Sequence, residues 1–423
     1  MRRAQLKREG ELPYAWVIVG LGFLALAVAM GVRSTIGLVV HPWEREFGWD
    51  RAAVSLTAAL GFMAYGLAQP VAGRWADRFG PRLVFTGSLV LLGVATLALA
   101  GIQSLWQAYL VFGVALMAAV GGASSVPAAV AIARWFQHRM ALAVGIVMAG
   151  AAAGQLVLVP TLAWVMRASG WRAAFLWAGA GVLLVAVPLV LVFFRDDPPG
   201  GAAARARREA ADGRPQTVGA LARQPNFWRL VGSFWVCGAT TAGLIDTHLI
   251  PYAEDVHIDS VTAATAFGVL GTFNVLGTLF SGAISDRWGH KRVLGSVYAL
   301  RAVTLVGLLF VRESVTLFVF AVTFGIVDFA TVPPTTTLST TLFGRRSGGT
   351  VIGLVSLSHQ VGSATGSYAG GLIHDVAGSY ALFFSASAAL CVLAALLSWT
   401  IAATETGAEG FGGPGANAPA VLS

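Results

Sequence analysis

Apolar stretches of about 20 residues, each long enough to cross a bilayer as a helix, recur between residues 14 and 401. No other feature narrows the fold as far. Lipid offers the backbone no hydrogen bonds, so runs of this length must satisfy their amides internally, as helices. Of the 423 residues, 56% are hydrophobic and 11% charged, against roughly 25% charged in soluble domains. The chain therefore reads as an all-α polytopic membrane protein. The first run, 14–40, follows a basic start (Arg2, Arg3, Lys7, Arg8). It is too long for a signal-peptide core and lacks a small-x-small cleavage site, so a retained first helix is expected. Cys237 and Cys391 lie inside apolar runs without metal-ligand spacing and read as small core residues.

Cutting at charged or turn-rich breaks gives twelve segments, each expected to cross the membrane: 14–40, 52–72, 83–101, 106–133, 140–166, 172–194, 226–252, 261–284, 293–311, 316–342, 350–372 and 380–402. The longest break, with Pro198, Pro199 and Pro215, divides six segments from six. The expected plan is a first half (1–194), a cytoplasmic linker (195–225), a second half (226–404) and a Gly- and Ala-rich tail (405–423), disordered and cytoplasmic.

Charge orients the segments. Of 28 Lys and Arg, 21 fall in the N-terminus and the loops after even-numbered segments, or at their edges. The opposite loops carry acids such as Glu44, Glu46, Glu254 and Asp255. The positive-inside rule then places both termini in the cytoplasm, with the protein in the cytoplasmic membrane. The net charge of +8 is accounted for by topology and implies no nucleic-acid partner.

The two halves repeat each other. "GRWADRFGPRL" (73–83) returns 209 positions later as "GAISDRWGHKR" (282–292). Pro42, Pro127, Phe136, Gly145, Gly154, Gly170 and Phe175 recur as Pro251, Pro334, Phe343, Gly353, Gly362, Gly378 and Phe383. Six segments repeated in parallel about an axis along the membrane normal is the plan of major facilitator transporters. The duplicated stretch resembles that family's G-x-x-x-D-R-x-G-R-R loop through Gly73, Asp77, Arg78, Gly80 and Arg82, and again through Asp286, Arg287 and Gly289. The resemblance implies a gating loop that locks the inward side by charge contacts between neighbouring helices. An Asp at a helix C-terminus, unfavourable alone, fits such a breakable pairing.

Looser resemblances point to the bacterial monocarboxylate-transporter-like and oxalate–formate antiporter-like branch. They are "EFGWDRAAVS", "SGWRAAF", "DFATVPPT" and "SHQVGSATGSYAGG". Departures accompany them. Animal monocarboxylate carriers have an Asp and an Arg in segment 8, where this chain has Asn274 and Thr278. Oxalate–formate antiporters use an Arg in segment 8 and a Lys in segment 11, where this chain has His359, so strict oxalate exchange is disfavoured. The Gly-Pro pair of drug antiporters is missing from "GIVMAGAAAGQ", and the sugar-porter pattern is missing from "FFRDDPPG".

Buried charges single out candidate site residues, since each costs at least about 2.5–3.5 kcal/mol at mid-bilayer. Arg301 and Asp328 both fall near the midplane, and a mutual ion pair would lower both costs. That pair reads either as a fixed staple or, through Asp328, as a proton or substrate site. Arg33 snorkels to outer water, forms a structural pair, or clamps a substrate carboxylate with two parallel hydrogen bonds. With no acid expected at its own depth, Arg33 should leave the empty site with excess positive charge that an anion relieves. Asp246 in segment 7 lies nearer the outer end and is the one acid that could neutralise it instead. His248 reads as a proton-coupling group or an outer-gate hydrogen bond. His359 in segment 11 stands where relatives place a cationic substrate ligand. Gln155 and Asn274 read as cavity-lining amides and Tyr65 as a further lining residue. Trp16, Trp43, Trp106 and Trp171 read as an interfacial belt.

The expected function is secondary active transport of a small organic anion, monocarboxylate-like and coupled to H+, by a functional monomer. The alternatives are an efflux carrier for a drug or metabolite, or a membrane sensor or partner subunit without transport. No nucleophile–base pair, metal cluster or phosphate-binding Gly-Lys loop is present in the sequence, so neither an enzyme nor a cofactor is expected.

Overall fold

The structure is a computed structural model that describes residues 12–136, 140–197, 218–343 and 345–402. Most of the expected linker, the N-terminal basic residues and the expected tail lie outside the described residues, as do the side chains of Asp77 and Asp286. Every described element is helical, and all twelve predicted segments fall on helix.

Segment 1 comprises Leu12–Arg33 and Ile36–Phe47, joined by a jog at Ser34 and Thr35. Segments 2 and 3 are Arg51–Phe79 and Pro81–Leu99. Segment 4 runs from Leu105 and ends as Ser125–Trp135. Segments 5 and 6 share Met140–Gly181, broken at Gly170, before segment 6 ends as Val187–Phe193. Segment 7 is built from Pro225–Gly238, a wide turn Ala239–Asp246, and Thr247–Asp255. Segments 8 and 9 are Ser260–Trp288 and His290–Leu308. Segment 10 comprises Ser314–Asp328, a tight turn Phe329–Thr331, and Val332–Phe343. Segments 11 and 12 are Arg345–Ala377 and Ala381–Trp399.

Among the described residues, eight helical stretches are long and apolar enough to cross a membrane, and one of them, Ala143–Phe193, holds segments 5 and 6 together. Segments 7, 9 and 11 are not among the eight. Segment 7 is divided into short pieces, segment 9 carries Lys291, Arg292 and Arg301, and segment 11 is diluted by Gly and Ser.

The sequence repeat returns as a repeat of backbone shape. Gly80 and Gly289 end segments 2 and 8 at φ +94° and +88°, a region that side chains resist. His257 holds φ +66° at the position equivalent to Gly48, φ +68°. The fold keeps that left-handed turn even where the glycine has been lost.

Each half has its own apolar core. Small residues set the helix spacing within a half. A methyl group on Gly154 would meet Ala27 O at 1.9 Å, and one on the equivalent Gly362 would meet Trp235 O at 2.0 Å. The halves meet through segments 2 and 11, 5 and 8, and 1 and 7. Side chains facing away from this seam are apolar and open, as in Trp177, Leu184 and Phe310, which suits contact with lipid. Trp43 and Trp171 depart from the expected belt. Both are buried, in an aromatic cluster with Phe47 and Trp49.

Candidate functional site

Segment 1 delivers Arg33 to the seam because its first helix stops there and turns at Ser34. The Arg33 guanidinium forms an ion pair with Asp246, the last residue of the wide turn in segment 7, so the pair crosses between halves. Wide helical turns of this kind concentrate at functional sites. Phe62 and Tyr65 of segment 2 put their rings 5.3 and 5.6 Å from the guanidinium, a favourable cation–π arrangement. With 12% and 15% of their side chains exposed, Arg33 and Asp246 are close to buried but not sealed. Nε of Arg33 is buried without a hydrogen-bond partner. This corrects one expectation: Arg33 does not leave the seam with excess positive charge, because the bend of segment 7 brings Asp246 to its depth.

His359 projects from segment 11 toward segment 7, with Nε2 3.4 Å from Thr241 Oγ1 and its ring centroid 5.0 Å from that of Phe234. It is near enough to Arg33 and Asp246 for their charges to act on it. Gln155 of segment 5 lies beside Ser34 at 3.5 Å and packs on Gly271 of segment 8. Arg33, Asp246, Tyr65, His359 and Gln155 thus gather around the seam.

Two other expectations change. Asn274 does not face an open cavity. Its amide donates to Asp328 Oδ2 at 2.8 Å and accepts from the Phe329 amide at 3.2 Å, and both side chains are buried. Arg301 does not pair with the Asp328 carboxylate. It donates to the main-chain oxygens of Val327 (2.7 Å) and Asp328. The physical cause is local. Pro333 and Pro334 lack the N–H groups that would bond the carbonyls of residues 329 and 330, and segment 10 tightens into Phe329–Thr331. The Val332 amide then bonds Phe329 O, which leaves carbonyls before the turn for Arg301, while Ser281 donates to Ala330 O. Arg301 also reaches Cys237 Sγ and Thr240 Oγ1 and is fully buried. It fastens segment 9 to segments 7 and 10 from inside the second half. Asp328 keeps Oδ1 without a partner.

The most connected polar cluster was not predicted. At the end of the seam that holds the start of segment 2, called here the far end, Arg51 is 4% exposed and ties the halves together. Its Nε and Nη2 donate to Glu44 at 2.7 and 3.0 Å, and Nη1 donates to Asp255 at 2.6 Å. The same guanidinium reaches His374 Nε2 at 3.1 Å and Tyr380 Oη at 3.3 Å. His41 lies 2.9 Å from Glu44 and within 3.4 Å of both Glu254 and Asp255. Asp375 of segment 11 accepts from the Ala52 amide at 2.7 Å, capping segment 2 across the seam. Burial pushes the Glu254 carboxyl up to about 7, against the pull of His41 and Arg45. Burial acts the same way on Asp255, but its contacts with His374, His41 and Arg51 outweigh it and hold Asp255 well below the usual carboxylate range. His248 supports this lock from behind. Its Nε2 donates to Ser367 O at 2.8 Å, and Nδ1 therefore accepts from Tyr380 Oη at 3.0 Å. Both nitrogens of the neutral ring are satisfied.

The duplicated loops lie at the opposite end, the motif end. The Arg82 amide donates to Asp196 at 2.7 Å and its side chain to Leu191 O. Arg134 donates to Ala76 O at 2.8 Å and lies 3.7 Å from Asp197. In the second half Lys291 donates to Ile401 O at 3.1 Å. These contacts bind each loop to its own half. Gly80 and Gly289 complete the turns, Gly73 lies within the helix of segment 2, and Arg78 and Arg287 are exposed.

A family model described as Major Facilitator Superfamily matches residues 22–364, and again 247–422. The chain belongs to the Major Facilitator Superfamily. Its general activity is accordingly secondary transport of a small solute across a membrane, without enzymatic chemistry. Within this superfamily the chain is 26% identical over 402 residues to the uncharacterized MFS-type transporter YcxA of Bacillus subtilis, covering 91% of this chain and 94% of that one. It is 26% identical to the oxalate:formate antiporter of Oxalobacter formigenes (70% and 69% covered). It is likewise 26% identical to monocarboxylate transporter 12-B of Danio rerio (94% and 89%). Among solved folds it is similar to a bacterial homolog of the human lysosomal transporter Spinster, with a TM-score of 0.74, 20% identity, and 92% and 96% covered.

Within the facilitator frame the missed lock had one signal. Seven basic residues break the charge asymmetry of the loops: Arg33, Arg45, Arg51, Arg167, Arg172, Arg301 and Arg312. Arg33, Arg51 and Arg167 each meet an acid of the other half.

Proposed function

We propose that this facilitator carries a small monocarboxylate together with a proton across the cytoplasmic membrane, by alternating access, as a monomer with twelve spans and both termini in the cytoplasm. The far end then faces outward and the motif end inward. The observation that carries the reading is the Arg33–Asp246 pair, one charge from each half, beside two aromatic rings. A substrate carboxylate is a chemical replacement for the Asp246 carboxylate on the guanidinium, able to make two charge-assisted hydrogen bonds. When substrate takes Arg33, a proton on Asp246 keeps the buried site neutral and avoids an unpaired buried acid. Anion and proton therefore arrive together. His359 and Gln155 flank the site from opposite halves and position the rest of the solute. Asp328, hydrogen-bonded by Asn274 on one oxygen only, is a second station for the proton. Similarity to carriers named for monocarboxylates and for oxalate and formate supports the anion class.

The test is uptake of a labelled monocarboxylate panel into proteoliposomes, with and without a pH gradient. Arg33→Gln is expected to weaken apparent affinity at least about tenfold, roughly one charge-assisted hydrogen bond. Asp246→Asn is expected to retain exchange while losing acceleration by the gradient. Unchanged affinity in Arg33→Gln, or competition by cationic or neutral solutes alone, rejects the anion reading in favour of efflux.

A further inference from the structure

One short piece of segment 7 joins the seam pair to the lock. Asp246, which pairs with Arg33, ends the wide turn Ala239–Asp246. Asp255, which binds Arg51, ends the helix that follows, Thr247–Asp255. At 1.5 Å per residue its 9 residues make a rod about 13 Å long, with one charge contact at either end. Segment 1 clamps the near end. Beside the Arg33 pair, Gly37 lets the two backbones close, since a methyl group there would lie 3.2 Å from Asp246 O. The joint itself is weakly bonded. Its hydrogen bonds run i→i+5 through the wide turn, and Pro251 has no N–H to offer Thr247 O.

His248, in the first turn of this rod, fastens it to the rest of the second half. The ring is fully buried, and its nitrogens reach two different segments: Nε2 donates to Ser367 O of segment 11, and Nδ1 accepts from Tyr380 Oη at the start of segment 12. An apolar side chain would fill the space without partners, whereas a buried imidazole needs both of its hydrogen bonds and so fixes the rotation of the rod. There is no slack on the segment 11 side, where a methyl group on Gly370 would lie 2.5 Å from His248 Nε2. Tyr380 Oη, its proton given to His248, accepts from Arg51 Nη1 at 3.3 Å. The chain of contacts therefore runs unbroken from Asp246 along the rod to His248, Tyr380 and Arg51.

We infer that His248 is a positioning residue of the transport cycle: through the rod and Tyr380 it ties the state of Asp246 at the seam to that of Arg51 at the lock, so that freeing Asp246 loosens the far end. The inference rests on the reading of Arg33 and Asp246 as the substrate site. When a substrate carboxylate replaces Asp246 on Arg33, the near end of the rod loses its clamp. A return of the wide turn to i→i+4 spacing then rotates everything that follows it. That rotation carries His248 off Ser367 O and Tyr380, and draws Asp255 away from Arg51.

The experiment is a double-mutant cycle on the full chain in lipid nanodiscs, read as the closed-to-open ratio from spin labels across the far end. Arg33→Gln alters no residue of the rod or the lock, yet should lower that ratio at least about fivefold. In a Tyr380→Phe or His248→Leu background the same change should lower it by less than about twofold. His248→Gln, which offers one donor and one acceptor, should give an intermediate factor. Tyr380→Phe deletes one oxygen and keeps the ring, so it carries the test if His248→Leu fails to fold. A purely structural His248 would lower the melting temperature but leave the Arg33→Gln factor the same in every background, which overturns the inference. So does a ratio that Arg33→Gln leaves unmoved. Monocarboxylate uptake that fails while the cycle stays non-additive rejects the substrate reading and upholds the linkage.

Discussion

The two ends of the molecule are held in opposite ways. At the far end Arg51 binds acids from both halves, with Glu44 beside it and Asp255 across the seam. At the motif end Arg82 and Arg134 bind segment 2 and the end of segment 6 of their own half, and Lys291 likewise stays within the second half. Contacts between halves must break when a transporter changes state, whereas contacts within a half travel with it. The far-end cluster therefore acts as a lock between the halves in this conformation, and the motif-end loops are built into their own halves. The related loops keep their backbone turns at Gly80 and Gly289 in both copies, while the lock has no copy. Arg51 corresponds to Ser260, at the same 209-position offset.

The strongest way to break this contrast is Arg51→Ala. Removing one member of a buried charge cluster typically costs 3–5 kcal/mol. The halves should part at the far end by at least about a hundredfold in the closed-to-open ratio. Distances between spin labels placed on both sides of that end measure it, and an unchanged distance distribution would count against the lock.

Next in size is Arg301→Met, which strips the carbonyls of Val327 and Asp328 of their donor, at about 1–3 kcal/mol for each buried group left unsatisfied. This contact lies within one half, so the melting temperature should fall while the far-end distances stay put. Asp328→Asn should lower the melting temperature much less, because Arg301 holds the main chain rather than the carboxylate. Equal losses in the two variants would restore a side-chain pair.

Gly80→Ala is expected to act at the motif end alone. It imposes about 1–2 kcal/mol of left-handed strain and points a methyl group at Asp196, 2.5 Å from Oδ2. Thermal unfolding should show the loss, with the cross-seam distances at the far end retained.

The smallest expected effect is on pH. Glu254 is raised to about 7 by burial in the closed lock, so the closed state binds its proton more tightly than a solvated carboxyl does. Lock stability from this residue is complete below the ordinary value near 4.5 and is lost as pH rises through about 7. Glu254→Gln should therefore raise the closed-to-open ratio at pH 8 and leave it nearly unchanged at pH 4. A larger effect at the acid end would reverse the sign and remove Glu254 from the lock.

Much of the plan was readable before any coordinates. Apolar length and the 209-position echo of the charged loop mark helices and halves. The charged residues resisted the same reading. Arg301 was identified as buried, yet its partners were misassigned. A search for acids overlooks the carbonyls freed when a helix tightens ahead of two prolines. Asn274 was placed in a cavity because an amide at mid-helix gives no sign of which neighbour it faces. Trp43 looked interfacial by its position near a helix end, but its ring turns inward onto Trp49 and Trp171.

By itself the sequence determined membership of a helical transporter class, the duplication and the turns at Gly80 and Gly289. These depend on local periodicity, chain length and backbone stereochemistry, which a linear chain displays directly. Only the tertiary structure decided which charges meet. Asp255 lies 204 positions from Arg51 and His374 lies 323 positions away, and Arg33 finds Asp246 across 213. Such pairings depend on the rotation of each helix about its own axis. That rotation is set by the packing of Gly37, Gly66 and Gly371 along the seam, and no spacing rule along the chain encodes it.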